Sequence, residues 1–212
     1  MRLIQSFLRF FFHLLYHSFA WTYDFVSSVV SLGRWRGWVL QALPFLRGRV
    51  LEIGFGPGHL QVALNQAGLA AFGLDESRQM SRQASRRLRR QAYPVDLTRG
   101  YAQNLPFPNR AFDCVAATFP SEYIFEAQTL AEIRRVLRPG GHLVIVPSAW
   151  ITGKGLLDRL AAGLFAVTGQ AGPLELMLPG LKRRIAAGRF AVRHVLVEGE
   201  GSRVLVIIGE KT

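Results

Sequence analysis

The chain has a single cysteine, Cys114, among 212 residues. It can therefore form neither an intrachain disulfide nor a cysteine-based metal site, and a reducing compartment suits it. Histidine is sparse as well: His59, His142 and His194 have no ligand-like spacing and read as structural or solvated, so no metal site is expected. There is no internal repeat and no low-complexity linker. Acidic residues are few, 14 Asp and Glu against 26 Lys and Arg, which leaves a net charge of +12 carried almost entirely by arginine. Such a surplus suits phosphates on lipid head groups, nucleic acid or anionic metabolites, without choosing among them. Long apolar runs are also missing. The best stretch lies between Arg9 and Asp24, is fourteen residues long and contains His13 and His17, whereas a membrane-spanning helix needs about twenty mainly apolar residues.

What is present starts with enough apolar sequence, 50%, to bury one substantial core, which implies one domain with an N-terminal extension rather than two domains. The extension, residues 1–46, opens with an amphipathic pattern. On a helical period Arg2, Gln5, Arg9, His13 and His17 share a stripe, and Leu3, Ile4, Phe7, Phe11, Leu14 and Leu15 cover the opposite face. A helix of this kind can lie in a membrane interface, so peripheral contact through residues 1–32 is one expectation. Packing on the protein's own domain or on a second subunit is the other. Ser18-Phe19-Ala20 imitates a signal-peptide cleavage site, but His13 interrupts the apolar run and the preceding positive region is thin.

Chemistry enters after this lead. Arg49-Val50-Leu51-Glu52-Ile53 is a short apolar run that ends in Gly54-Phe55-Gly56-Pro57-Gly58, and the following residues place Leu60, Ala63, Leu64 and Ala67 on one helical face. Strand, glycine-rich turn and helix in that order let a ligand approach the backbone and offer helix N–H groups to an anion. A second apolar run, 70–74, ends in Asp75, seventeen residues beyond Gly58, where a carboxylate can accept hydrogen bonds from ribose hydroxyls. These two features alone fit a dinucleotide such as NAD equally well.

Further motifs follow in order: Gly73-Leu74-Asp75-Glu76-Ser77, then Ala102-Gln103-Asn104-Leu105-Pro106-Phe107-Pro108, Phe112-Asp113-Cys114-Val115, and Glu132-Ile133-Arg134-Arg135-Val136-Leu137-Arg138-Pro139-Gly140-Gly141. Together with the glycine-rich turn, this series resembles the class I S-adenosylmethionine-dependent methyltransferases, especially the branch that contains quinone-biosynthesis C-methyltransferases. The resemblance covers nearly half of the chain and leaves the flanks out. It implies S-adenosylmethionine as cofactor, with Glu52, Gly54, Gly56 and Gly58 at its methionine end, Asp75 on the ribose, and Glu76 to Met80 beside the adenine. It also implies that Ala102 and Gln103 cover the adenine and that Thr118 and Phe119 face the methyl-transfer centre. Tyr101 stands where an acidic residue is usual, and can stack on the base instead.

Alternating apolar strands and helices predict an α/β fold, a mostly parallel sheet with helices on both faces; the resemblance implies a Rossmann-like doubly wound sheet of about seven strands with a C-terminal antiparallel strand. Strands are expected near 49–53, 70–74, 93–97, 112–118, 142–147, 190–197 and 204–208, and helices near 58–68, 77–91 and 123–137. The methyltransferase domain would span 47–212. Within it, residues 151–189 read as an insert with an apolar helix at 156–167 and a basic helix at 181–184; the family layout puts this insert on the acceptor side.

Methyl transfer from a sulfonium is mainly a matter of alignment and exclusion of water, so a general base is optional. Tyr23, Glu122, Tyr123 and His17 are the candidates should the acceptor need one. Arg78, Arg82, Arg86 and Arg89 share one helical face, with Arg87 and Arg90 beside them, and read as either a solvated face or a phosphate-binding stripe. The expected activity is methyl transfer to a small, hydrophobic or lipid-like acceptor, in the cytoplasm or at the inner face of a membrane. Alternatives are an RNA or protein methyltransferase that uses the arginine face, or a cofactor-binding interaction protein without catalysis. Nucleic acid is disfavoured because no appended recognition domain or stacking motif is visible. The sequence leaves open the acceptor, the atom methylated and the oligomeric state.

Overall fold

The computed structural model describes residues 33–153, 155, 174–199 and 201–212. The amphipathic lead with His17 and Tyr23, and the apolar helix at 156–167, lie outside the described residues. Seven strands form one sheet: β1 (Arg49–Ile53), β2 (Ala70–Asp75), β3 (Leu97–Arg99), β4 (Phe112–Thr118), β5 (Leu137–Ile151), β6 (Phe190–Gly199) and β7 (Ser202–Lys211). Their order is β3-β2-β1-β4-β5-β7-β6. β1 to β5 pair in parallel, and β7 runs antiparallel to both of its neighbours. The helices among the described residues are α1 (Trp35–Leu40), α2 (His59–Gln66), α3 (Arg78–Arg89), α4 (Ala127–Val136) and α5 (Leu174–Ala187).

The period-two alternation of the strands divides the core between two faces. Val50, Cys114, Ala116, Val144, Val146, Val204 and Val206 point to one face and pack with Trp35, Trp38 and Val39 of α1 and Leu60 and Leu64 of α2. Leu51, Ile53, Val115, Ala117, Leu143, Ile145, Leu205 and Ile207 point to the other, against Leu130 and Ile133 of α4 and Ile185 of α5. Helices on both faces of a mainly parallel sheet make this the doubly wound arrangement expected. Residues 35–46, assigned from sequence to the extension, contribute Trp35, Trp38, Val39, Ala42 and Leu46 to the first of these faces.

Several boundaries differ from the sequence reading, each for a local reason. The third strand pairs only over Leu97–Arg99 rather than 93–97, since Pro94 offers no N–H and restricts the residue before it. The helix expected at 123–137 breaks into a 3-10 turn, Glu122–Phe125, and α4, because Glu126 is extended at φ −68° and ψ 142°. β5 runs on to Ile151, where β7 supplies an antiparallel partner through Ile151 and Ser202. The basic helix at 181–184 is the last part of the longer α5.

Candidate active site

The carboxyl ends of β1, β2 and β4 converge on a cavity of about 650 Å³. Parallel strands in register place there the turn after β1, the acid that ends β2, and the bend after β4. The turn 54–58 is held from several sides. Gly54 N–H donates to the Leu74 carbonyl at 2.7 Å, and Gly56 N–H donates to Asp75 Oδ2 at 2.9 Å. Arg87 of α3 donates to the Pro57 carbonyl and lies against His59 Nδ1, both at 2.9 Å.

Gly54, at φ +72°, is required by its neighbour as well as by its backbone: a β-carbon would stand 2.6 Å from the Tyr123 hydroxyl. Gly58, at φ +82°, begins α2 in the left-handed conformation. A β-carbon there would stand 2.8 Å from that of Ala84, so this glycine lets α3 approach the turn.

Two carboxyls face the cavity from inside the protein. Glu52, on the same face of β1 as Val50, is 1% exposed, and Gln61 Nε2 donates to it at 2.9 Å while also donating to the Phe72 carbonyl. Burial raises its pKa to about 8, against a partial lowering by Gln61 and a further rise from nearby Asp75. Asp75 is pushed upward by burial, although Ser77 N–H donates to Oδ1 at 2.8 Å and Gly56 N–H to Oδ2. No basic side chain pairs with either carboxyl among the described residues. A ligand with a cationic group and hydroxyl donors would fit this pair.

Of the residues singled out from sequence, Glu52, Gly54, Gly56, Asp75, Glu76, Met80, Ala102, Gln103, Thr118 and Phe119 line this one cavity, as does Tyr123. Tyr101 lines it from an exposed edge, at 67% exposure. Met80 packs with Phe55 and Ala84, and Gln103 is held by a 2.8 Å bond to Glu126. Gly58 is not among the lining residues. Glu122 is turned to the surface, its side chain 82% exposed and paired with Arg184 at 2.5 Å; the 3-10 turn sends it and Tyr123 in different directions. His59 lines the cavity, whereas Cys114 lies in the core, where burial pushes its thiol up.

Sequence reasoning missed one wall. Trp35 of α1 stacks on Phe119 with ring centroids 4.2 Å apart, Trp38 approaches the same ring at 6.3 Å, and Trp35 and Val39 line the cavity. Phe119 itself is left-handed, at φ +48°. The i, i+3, i+4 spacing of Trp35, Trp38 and Val39 was the available signal. Gln61, which holds Glu52, gave no sequence signal beyond a polar residue beside apolar Leu60.

Residues 51–145 match the methyltransferase-domain family. Demethylmenaquinone methyltransferase of Lactiplantibacillus plantarum is 34% identical over 145 residues, 64% of this chain and 61% of that protein. The enzyme of the same name from Renibacterium salmoninarum is 36% identical over 128 residues, 58% of this chain and 52% of its own length. The ubiquinone/menaquinone biosynthesis C-methyltransferase of Blochmanniella floridana is 30% identical over 66% of this chain and 59% of that one. In architecture, geranyl diphosphate methyltransferase, solved with geranyl diphosphate and sinefungin, superposes with a TM-score of 0.58 at 18% identity, over 84% of this chain and 78% of that one.

Over residues 51–145 the chain is thus similar to the methyltransferase-domain family, and its seven-stranded sheet has the fold of the solved methyltransferase. It spans only about half to three fifths of the length of the curated relatives it matches.

Proposed function

We propose that the protein transfers a methyl group from S-adenosylmethionine to a small, hydrophobic or lipid-like acceptor. The observation that carries this reading is the pair of buried carboxyls, Glu52 and Asp75, at the carboxyl ends of β1 and β2 in a cavity of ordinary small-molecule size. Bound S-adenosylmethionine supplies an activated methyl on a sulfonium. In this assignment Glu52 and the turn at Gly54 and Gly56 hold the methionine end. Asp75 keeps its two backbone donors and accepts the ribose hydroxyls on its remaining lone pairs. Glu76, Met80, Ala102 and Gln103 enclose the adenine, with Tyr101 stacking from the exposed edge. Residues 47–212 carry these functions, and the preceding segment contributes the Trp35 wall.

The protein's part in the reaction is to align and to keep water out. Thr118, Phe119 and Trp35 are assigned to the transfer end of the cavity, and Tyr123, whose hydroxyl stands beside Gly54 in the same cavity, is assigned to accept, as the phenolate, the proton of an acceptor that must lose one. A quinone-like ring is the acceptor class that the relatives' names support, and the insert at 151–189 is assigned to binding it. Calorimetric titration with S-adenosylmethionine and its demethylated product, with NAD as control, tests the reading. Both sulfur nucleosides are expected to bind, and Asp75→Ala to abolish it; well-folded protein that binds neither would overturn it. Transfer of labelled methyl to hydrophobic acceptors is the next step.

A further inference from the structure

Helix α3 carries a surface that the cofactor site does not use. Its inner side is set by Met80, Ala84 and Leu88, all buried. Arg78, Arg82, Arg86 and Arg89 lie diametrically opposite, within an arc of about 80° and along about 16 Å of helix. All four are exposed, as is Arg90, and none of the five forms an ion pair or side-chain hydrogen bond among the described residues. Arg87, which points between these two sides, is the one committed inward, to Pro57 and His59. No acidic residue occurs between Glu76 and Asp96, and none on α1 or α2.

Helix stability accounts for part of this pattern. Arg86, Arg87 and Arg89 occupy the last turn, where cations complement the helix dipole. Arg78 stands in the first turn, where a cation opposes the dipole, and the pairs Arg78 with Arg82 and Arg82 with Arg86 are like charges at i, i+4, which cost helix stability. An anionic partner spread along the whole face would relieve both penalties.

No aromatic side chain stands on α3 for bases to stack upon. Arg78 also lines the cavity mouth, and exposed Tyr101 lines the same mouth, an aromatic of the type that settles at a lipid–water boundary. We infer that the Arg78–Arg82–Arg86–Arg89 face of α3 docks on an anionic lipid bilayer, with the cavity mouth beside the membrane surface. This docking does not depend on the cofactor assignment.

The test is partition of the full chain onto vesicles of phosphatidylglycerol and phosphatidylcholine, against vesicles of phosphatidylcholine alone, at low and at physiological salt. Arg78 is left intact because it lines the cavity. Binding is expected only with the anionic lipid, weakening with salt, and falling about tenfold or more in the triple variant Arg82→Gln, Arg86→Gln, Arg89→Gln. A matched variant, Arg36→Gln, Arg110→Gln, Arg193→Gln, loses the same charge from exposed positions elsewhere and is expected to bind nearly as the parent does. A melting temperature no lower than the parent's and an unchanged circular dichroism spectrum show that the triple variant is folded. The inference is overturned if the parent ignores anionic vesicles, if the α3 variant binds as the parent does, or if the matched variant loses as much. Tighter, equally arginine-dependent binding to a single-stranded RNA at the same salt would overturn it in favour of nucleic acid.

Discussion

The two ends of the same central strands treat charge in opposite ways. At the amino end, Asp113 at the start of β4 accepts from the Arg49 backbone N–H at 2.8 Å and from Arg138 at 2.6 Å. Burial pushes it upward, yet these donors outweigh that and hold its carboxyl below the ordinary range. Arg49 in turn donates to the Ala111 carbonyl and lies over the Phe72 ring. Arg47, next to the strand, reaches the Gly140 carbonyl and His142. Charges there find opposite charges or carbonyls within the protein. At the carboxyl end, Glu52 and Asp75 are buried with neutral donors only, and both are pushed upward. A carboxyl buried without a cation costs stability unless something else completes it, so the difference marks the carboxyl end as incomplete without a ligand and the amino end as a finished structural network.

The sharpest way to break this contrast is to make the same change at both ends. Asp75→Asn is expected to weaken S-adenosylmethionine binding at least about 100-fold, since its amide nitrogen accepts from neither Gly56 nor Ser77 nor the ribose, and the remaining oxygen serves only one side. Asp113→Asn should leave the affinity unchanged and lower stability by about 1–2 kcal/mol, measured by denaturant unfolding. Comparable losses of affinity from both would dissolve the distinction.

Glu52 supplies a pH test of the same idea. Its folded-state pKa, about 8, lies above the ordinary 4.5, so the stability it contributes is fully present below the ordinary value and is lost as pH rises through about 8. A cationic ligand favours the ionised form, so affinity should rise with pH from about 6 to about 8. Glu52→Gln is expected to weaken binding about tenfold and flatten that dependence, while making the free protein more stable than the parent at pH about 8. A steep dependence that survives in the variant would assign the titration elsewhere.

Smaller effects separate scaffold from site. Gly58→Ala should cost about 1–2 kcal/mol in stability, from the left-handed backbone and from crowding against Ala84, with a weaker effect on affinity, because this position does not line the cavity. At the amino end, burial and Arg47 both lower the His142 pKa. Arg47→Ala is expected to raise it toward the ordinary range, read by NMR titration, with affinity untouched.

Much of the site was legible because its parts are local in sequence. A glycine-rich turn between an apolar strand and a helix, and an acid closing the next strand, are short patterns with short-range causes. Glu122 and Tyr123 show the limit: adjacent residues at the start of a supposed helix were equivalent by sequence, and only the 3-10 turn sends the first to Arg184 and the second toward Gly54. Trp35 was overlooked because its partner, Phe119, lies more than eighty residues away. The turn motif does not say which glycine stands at a cavity and which against the neighbouring helix; in the structure Gly54 and Gly56 line the cavity and Gly58 lies against Ala84.

The sequence by itself determined the strand and helix alternation, the glycine turn, the acid at Asp75 and the arginine periodicity of α3, since each follows from backbone sterics or from a period of two or 3.6 residues. Tertiary structure alone decided that Gln61 would hold Glu52, that Arg87 would pin the Pro57 carbonyl, that Trp35 would wall the cavity and that Glu122 would face away from it. These depend on which side chains meet across the sheet and its helices, and local patterns carry no record of such meetings.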